Sequence, residues 1–390
     1  MSGENSIDVR RATIDDIPML EAFYDKVYGR RKKYKYPERW HWLMSSGDLG
    51  HLTEFPVYIA VSDGRVVGHN AALRVNCKLF DRTVPLAWSI DTYVFKEYRG
   101  SGLGSQLQKL NRQDHNFFAS LAMTPTNQRL KIKLGAHIGP SSKLYCKIFK
   151  FRGQPEIMKQ RYKGFSVLAV GLGFVAFSSI RAIGLVKERL TGKEHKTLKT
   201  SDPKPAIFDE HDSELWRRSR ERYDFAVERD QSYLSWRYTH APWMNYYCIR
   251  AYDTNNKLSG LLVFRLADEA IEKSAVICEL FDREGDISVI AKLLEVVEGY
   301  LRRIEVVQVQ VASSDNILIN ILAKKGYLQV ENRPLVIDSK SEDLSMVDPD
   351  ISTLLTKGDH DWDQYPRFRF YDVVYPLYQW LKRVTQLTGR

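Results

Sequence analysis

Three glycines within seven residues, Tyr98-Arg99-Gly100-Ser101-Gly102-Leu103-Gly104, separate a β-rich run, Ile90 to Phe95, from a segment with helical spacing that begins at Ser105. Glycine tolerates left-handed backbone and lets amides approach a ligand closely. A helix starting at Ser105 adds unsatisfied N–H groups and the positive end of its dipole. Strand, glycine loop and helix together predict an anion cradle, and a diphosphate is its natural guest. Spacing then sorts the known loops of this kind. A P-loop requires Lys-Ser/Thr after its last glycine, whereas Gly104 is followed by Ser105-Gln106, so that class is excluded. The dinucleotide fingerprint requires GxGxxG in the first turn of a parallel unit. Here the glycines fall at 100, 102 and 104, after antiparallel hairpins, which is a poor match.

The preceding chain predicts those hairpins. Ile7 to Ala12 reads as a strand, followed by Thr13 and Asp15 before a periodic apolar helix (Ile17, Leu20, Phe23, Tyr24, Val27). Val57–Val61 and Val66–Val75 flank Asp63-Gly64, a strong hairpin signal, and a second turn is expected at Asp81-Arg82. After the glycine loop a helix is expected over Ser105 to Phe118, then a short strand to Met123. Pro125, Thr126 and Asn127 cap a helix that stops at Gly135. From about Ala206 the chain repeats this grammar. Strands are expected at Tyr247–Tyr252, Leu258–Leu266 and Ser274–Phe281, a helix at Ile287–Arg302, a strand at Val306–Val311 and a helix from Asn316 to Lys325.

The order Arg-x-x-Gly-x-Gly at Arg99 to Gly104, preceded by two hairpins and the Val9–Ile17 start, resembles the GNAT superfamily of acetyl-CoA-dependent N-acyltransferases. The resemblance covers about residues 7 to 140. It implies an α/β fold of two GNAT-like mixed-sheet domains in tandem, the second degenerate, with acetyl-CoA as co-substrate. It further implies that the backbone of Tyr93 and Val94 pairs with the pantetheine amides. Amides of Arg99, Gly100, Ser101, Gly102, Leu103, Gly104 and Ser105 would hold the pyrophosphate, and Asn127, heading its helix, would touch the pantetheine arm. The tyrosine that often serves the family as general acid is missing, since that region reads Lys131-Ile132-Lys133-Leu134-Gly135. N-acetylation needs a group to deprotonate the amine. Asp91, on the strand leading into the loop, is the candidate catalytic base; Glu97 and the lone His137 are weaker ones. The second block carries Phe281-Asp282-Arg283-Glu284-Gly285-Asp286 at the loop position, with one glycine and three acids that would repel a pyrophosphate. Arg229 to Pro242 resembles a segment of tandem GNAT-like proteins associated with bacterial polysaccharide or cell-envelope biosynthesis. Its aromatics and Arg237 either line an acceptor cleft or pack in the core.

The 390 residues suit two domains, expected as an acetyl-CoA-binding unit over 1–160, an apolar helix and linker over 161–205, a second unit over 206–340 and a C-terminal tail over 341–390. A net charge of +10 favours anionic partners. Phosphate-bearing cofactors and acidic lipids are carried forward from these, and nucleic acid is not. The four cysteines lie far apart with no CxxC, which argues against a disulfide framework and a structural zinc site. The acidic stretch Asp359-His360-Asp361-Trp362-Asp363 reads as a solvated turn, and no metal site is assigned. Met1 to Arg11 lacks the apolar core of a signal peptide, which predicts a cytoplasmic protein. The 17 uncharged residues Gly164 to Ile180, beside the basic run Lys143 to Lys163, read as an interdomain helix, a short span or an interfacial helix. The interfacial reading would make the protein peripheral to an acidic membrane.

The expected reaction is acetyl transfer to the amine of a small molecule, such as an amino sugar or envelope precursor. A Fem-type aminoacyl or peptidyl transferase and a non-catalytic membrane-surface or interaction protein remain as alternatives.

Overall fold

The computed structural model describes residues 7–29, 38–45, 54–150, 198–267, 273–340, 344 and 347–363. The chain begins with β1 (Asp8–Arg11) and a capping box in which Thr13 and Asp16 satisfy each other's backbone amides, leading into α1 (Ile17–Tyr28) and its buried face of Leu20, Phe23 and Tyr24. A short α2 (Glu38–Met44) precedes a meander of β2 (Val57–Ser62), β3 (Arg65–Leu79) and β4 (Arg82–Val94). Asp63 and Gly64 both take positive φ, 50° and 67°, the requirement of a two-residue hairpin turn. Then follow α3 (Leu103–Gln113), β5 (Phe117–Ser120), α4 (Pro125–Lys133) and β6 (His137–Ile148).

The second half opens with two short edge strands, β7 (Lys199–Thr200) and β8 (Lys204–Pro205), then α5 (Glu210–Ser219), β9 (Phe225–Val227) and α6 (Gln231–Leu234), which runs into a π-turn over Ser235–Thr239. A second meander, β10 (Tyr246–Tyr252), β11 (Leu258–Ala267) and β12 (Ser274–Asp282), leads to α7 (Ile287–Arg303), β13 (Gln308–Ser313), α8 (Asn316–Lys324), β14 (Leu328–Ser339) and the two-residue β15 (Thr353–Leu354).

The halves share one sheet because each gives its last long strand to the other. The strand order is β1-β2-β3-β4-β5-β14-β6-β13-β12-β11-β10-β7. β14 pairs antiparallel with β5 from Val336↔Ser120 to Ser339↔Phe117, and β6 pairs with β13 from Gln308↔Ile148 to Ser313↔Lys143. One apolar core joins both halves, with Trp40 and Trp88 from the first beside Trp216 and Trp236 from the second. A second core packs α7 on β10 to β13. Trp42 and Trp236 stack at 4.3 Å between ring centres, and each indole N–H donates to the other's carbonyl, at 2.9 and 3.1 Å.

Three local expectations change. The helix after the glycine loop ends at Gln113, and Phe117 belongs to β5, because the polar Asp114-His115-Asn116 interrupts the apolar spacing. β6 and β14 were not anticipated as strands. The acidic stretch is buried instead of solvated: Asp359 and Asp363 are 0% exposed and His360 is 3% exposed. Arginines make that burial tenable, Arg229 reaching Asp359 at 2.6 Å and Arg237 reaching Asp363 at 2.7 Å. The segment Gly164 to Ile180 lies outside the described residues. Among the described residues no helix is long and apolar enough to cross a membrane.

Candidate active site

β4 and β5 run parallel but pair only at Ala87↔Phe118 and Trp88↔Ala119. Beyond Trp88, β4 continues six residues to Val94 without β5, so the two strands part and leave a wedge. The wedge opens toward the glycine loop. Gly100 and Gly102 have φ of 92° and 89°, and a Cβ at either would meet nothing within 4 Å. Their role is therefore backbone conformation and open space, both of which a ligand passing over the loop requires. Gly102 is the N-cap of α3 and offers no side-chain cap, so the first amides of α3 are left to a ligand or to water. Arg99 folds back, its Nε donating to the Val94 carbonyl at 2.9 Å, and its guanidinium lies 5.5 Å from the Tyr93 ring. On the other side of the wedge, Asn127 sits in the first turn of α4, where its backbone N–H donates to Thr124 Oγ1. Its side-chain Oδ1 is buried without a hydrogen-bond partner. A buried amide oxygen left unmatched is costly, which fits an atom reserved for a donor on a bound molecule.

A polar network lines the α3 face of the wedge. Asn70 Nδ2 donates to Ser89 Oγ at 3.1 Å and Thr92 Oγ1 at 2.7 Å. Gln108 Nε2 donates to the same Thr92 oxygen at 3.0 Å. Lys131, fully buried, donates to Gln108 Oε1 at 2.6 Å and lies 4.6 Å from the Phe118 ring centre. Burial pushes the Lys131 ammonium well below its ordinary value, with nearby Arg112 adding to the shift. Sequence reasoning noted Lys131 only as a residue standing where a tyrosine was sought; its burial depends on α3 and β5 and leaves no mark in the local sequence.

The opposite face of the wedge carries charge. Asp91 lies on β4 with φ of 56°, an unusual backbone for a non-glycine residue, at an irregularity where the register with β3 shifts between His69 and Ala71. A hydrogen-bond chain holds this bend. Trp40 Nε1 donates to the Tyr24 hydroxyl at 3.1 Å, which meets His69 Nε2 at 2.8 Å, and His69 Nδ1 meets the Asp91 carbonyl at 3.0 Å. A carbonyl only accepts, so Nδ1 carries the proton and Tyr24 donates to Nε2. The Asp91 carboxylate is ion-paired with Arg39 of α2, the two side chains being 5% and 2% exposed. The second nitrogen of Arg39 lies 3.8 Å from Asp361. Arg39 thus links Asp91 to Asp361, and neither Arg39 nor Asp361 was singled out from the sequence as part of this site. Glu97 is exposed in the loop, and His137 is exposed at the start of β6. Arg237 is fully buried against Asp363 and packs in the core, whereas its neighbour Trp236 lines an open groove of about 680 Å³ with Trp42, Glu38 and His41.

The second half repeats the wedge and fills it. β12 and β13 pair from Ser274↔Gln308 to Ile277↔Val311, after which β12 continues to Asp282 without β13, paired only with β11 among the described strands. The chain's own segment 353–363 lies there. Leu355 N–H donates to Ser314 Oγ at 2.8 Å, Thr356 Oγ1 to Glu279 at 3.1 Å, Lys357 Nζ to Gln310 at 2.9 Å and Gly358 N–H to the Cys278 carbonyl at 3.1 Å. At the loop that follows β12, the Asp282 carboxylate accepts from the amides of Glu284 at 3.0 Å and Asp286 at 2.6 Å. A carboxylate of the chain thus occupies amides that a glycine loop would offer to a phosphate.

Residues 8–116 match the family model described as an acetyltransferase (GNAT) domain. No curated protein matches the sequence. Among solved structures, a GCN5-related N-acetyltransferase from Anabaena variabilis is similar with a TM-score of 0.53 at 14% identity, over 85% of this chain and 72% of that one. An N-myristoyltransferase from Saccharomyces cerevisiae with bound myristoyl-CoA gives 0.56 at 10% identity, over 87% and 80%. A tandem GNAT protein from the clavulanic acid biosynthesis pathway gives 0.50 at 13% identity, over 87% and 100%. At such identities the likeness is one of fold. The first half carries a GNAT domain, and the whole chain has the tandem GNAT fold.

Proposed function

We propose that the chain is an acyl-CoA-dependent N-acyltransferase that moves an acetyl group to the amine of a small molecule, an amino sugar or envelope precursor. The observation that carries this reading is the open wedge of the first half, with a positive-φ glycine loop at one end and the orphaned Asn127 Oδ1 on its wall. In this reading the loop amides from Arg99 to Ser105 receive the pyrophosphate, and the exposed backbone of Tyr93 and Val94 pairs with the pantetheine amides. Asn127 Oδ1 accepts from one of them. The Val94 carbonyl already accepts from Arg99, and its second lone pair serves the arm. The bound thioester supplies an activated acyl carbon at the narrow end of the wedge.

The two faces of the wedge divide the work. The α3 and α4 face is hydrogen-bonded and holds the arm. The α2 face carries Asp91, Arg39 and Asp361, two carboxylates against one guanidinium, and this residual negative charge favours approach of a cationic amine. Asp91 is fixed there by both its backbone and its ion pair, so it orients the acceptor side of the site. The second half, whose wedge is filled by its own chain, supplies the wall opposite α2.

Calorimetry with acetyl-CoA on the full chain and on Ser105→Glu tests the reading. An acid in the first turn of a helix suits the helix dipole, so the fold should survive while the pyrophosphate is repelled. The expected outcome is at least a tenfold loss of affinity. Equal affinity of both proteins would remove the pyrophosphate assignment. A screen of glucosamine and other small amines, read by release of free CoA thiol, then tests the acceptor class.

A further inference from the structure

The geometry points to His360, backed by Asp361, as the base that takes the proton from the acceptor amine. The inference rests on the acyltransferase reading above and adds to it a base for the acceptor amine, with Asp91, ion-paired to Arg39, kept as an orienting group. Segment 353–363 stays bonded to the second half as far as Asp363, which meets Arg237 and the Tyr246 hydroxyl, while the Asp361 carboxylate reaches Arg39 of the first half. The His360 ring centre lies 5.7 Å from that of Trp88, the residue at which β4 and β5 make their last registered pair. That is the narrow end of the wedge, on the face that carries Asp91. Asp361 reaches Arg39, and Arg39 reaches Asp91, so the strap is tied to the same cluster by charge.

The imidazole is oriented for the task. His360 Nδ1 stands 3.1 Å from Asp361 Oδ1. A carboxylate accepts, so Nδ1 carries the hydrogen and Nε2 carries the lone pair, the arrangement in which a carboxylate fixes the tautomer of a basic histidine. The His360 carbonyl accepts from Arg237 at 2.8 Å, which anchors the backbone on the opposite side. The charged group that the ring meets is Asp361 on its own segment; Arg39 from α2 lies 3.8 Å from that carboxylate and pairs in turn with Asp91 of β4. Asp359 and Asp363, its neighbours in sequence, are turned away onto Arg229 and Arg237.

The step balances as follows. Nε2 accepts one proton from the ammonium form of the acceptor and later releases it to solvent. The free amine attacks the thioester carbon, the N–C bond forms and the C–S bond breaks. A second proton leaves the nitrogen as the amide forms and goes to the departing sulfur, giving CoA thiol.

The experiment uses acetyl-CoA with water as acceptor, so that it does not depend on identifying the amine, and reads thiol release from the full-length protein beside calorimetric acetyl-CoA affinity. For His360→Ala the expected result is about a 100-fold fall in kcat with affinity unchanged, the usual scale for a lost general base, and partial recovery with added imidazole. The acidic limb of the wild-type pH–rate profile should vanish in that variant. Asp361→Asn, at a partly exposed position, should lower kcat less and keep the limb. Wild-type kcat in His360→Ala, with acetyl-CoA bound normally, would overturn the assignment and leave the acyltransferase reading intact. Failure of the wild-type protein to bind acetyl-CoA would take down both.

Discussion

Gly358 is the most tightly enclosed of the described glycines, and replacing it with alanine measures what the strap is worth. A Cβ built there would overlap the Tyr238 hydroxyl, stand 2.7 Å from Glu279 Oε1 and 3.1 Å from the Cys278 carbonyl. The Tyr238 hydroxyl cannot yield cheaply, since it donates to Glu279 at 2.6 Å inside a fully buried cluster. Losing a hydrogen bond to a buried charge costs about 1.5–3 kcal/mol. Overpacking of a filled core adds about 1–3 kcal/mol. Gly358→Ala should therefore destabilise the protein by roughly 2.5–6 kcal/mol. Urea unfolding followed by tryptophan fluorescence reads this as a fall in the midpoint at constant slope. A loss below about 1 kcal/mol, the scale of an ordinary surface change, would refute the argument and mean that the strap leaves the cleft without cost. If the variant stays folded because the strap has shifted, acetyl-CoA affinity should hold while turnover falls, because His360 follows two residues later.

His115 offers a pH test of the turn between α3 and β5. Burial pushes its imidazole down to about 4, only partly opposed by Asp114. The native state stays neutral while the unfolded chain takes up a proton below the ordinary value of 6.5, so stability is lost progressively as pH falls from 6.5 toward 4. By pH 4.5 the loss should be about 2–3 kcal/mol and absent from His115→Gln, as urea midpoints at pH 7 and pH 4.5 would show. Asp91→Asn, which keeps the shape but weakens the tie to Arg39, should lower turnover at least tenfold with acetyl-CoA affinity nearly unchanged; a parallel loss of affinity would assign Asp91 to the cofactor's side of the site.

The glycine loop was legible because its chemistry is local: positive φ at two alternate positions and a helix start are written in consecutive residues. The meanders were legible for the same reason, through Asp63-Gly64 and alternating apolar runs. β6 and β14 were hidden by Pro140 and Pro334, residues that argue against a central strand. The structure accommodates Pro334 with a register shift before Val336. The acidic stretch misled because its partners, Arg229 and Arg237, lie more than a hundred residues away, and a cluster of acids is solvated only when nothing neutralises it. Arg39 and Asp361 join the Asp91 cluster by the same long-range logic, which one sequence does not display.

The exchange of β6 and β14 also bears on how the protein is made. When β5 emerges from the ribosome, its neighbour β14 lies about 200 residues further along the chain. At ordinary rates of synthesis that is a wait of about 10–40 s, during which the edge of β5 is bare and β6, already present, has no β13 to join. An unpaired edge of this kind is a template for wrong pairing. Neither half is therefore expected to survive excision as a stable fragment, and the time of risk in the cell is set by translation and not by the speed of any folding step.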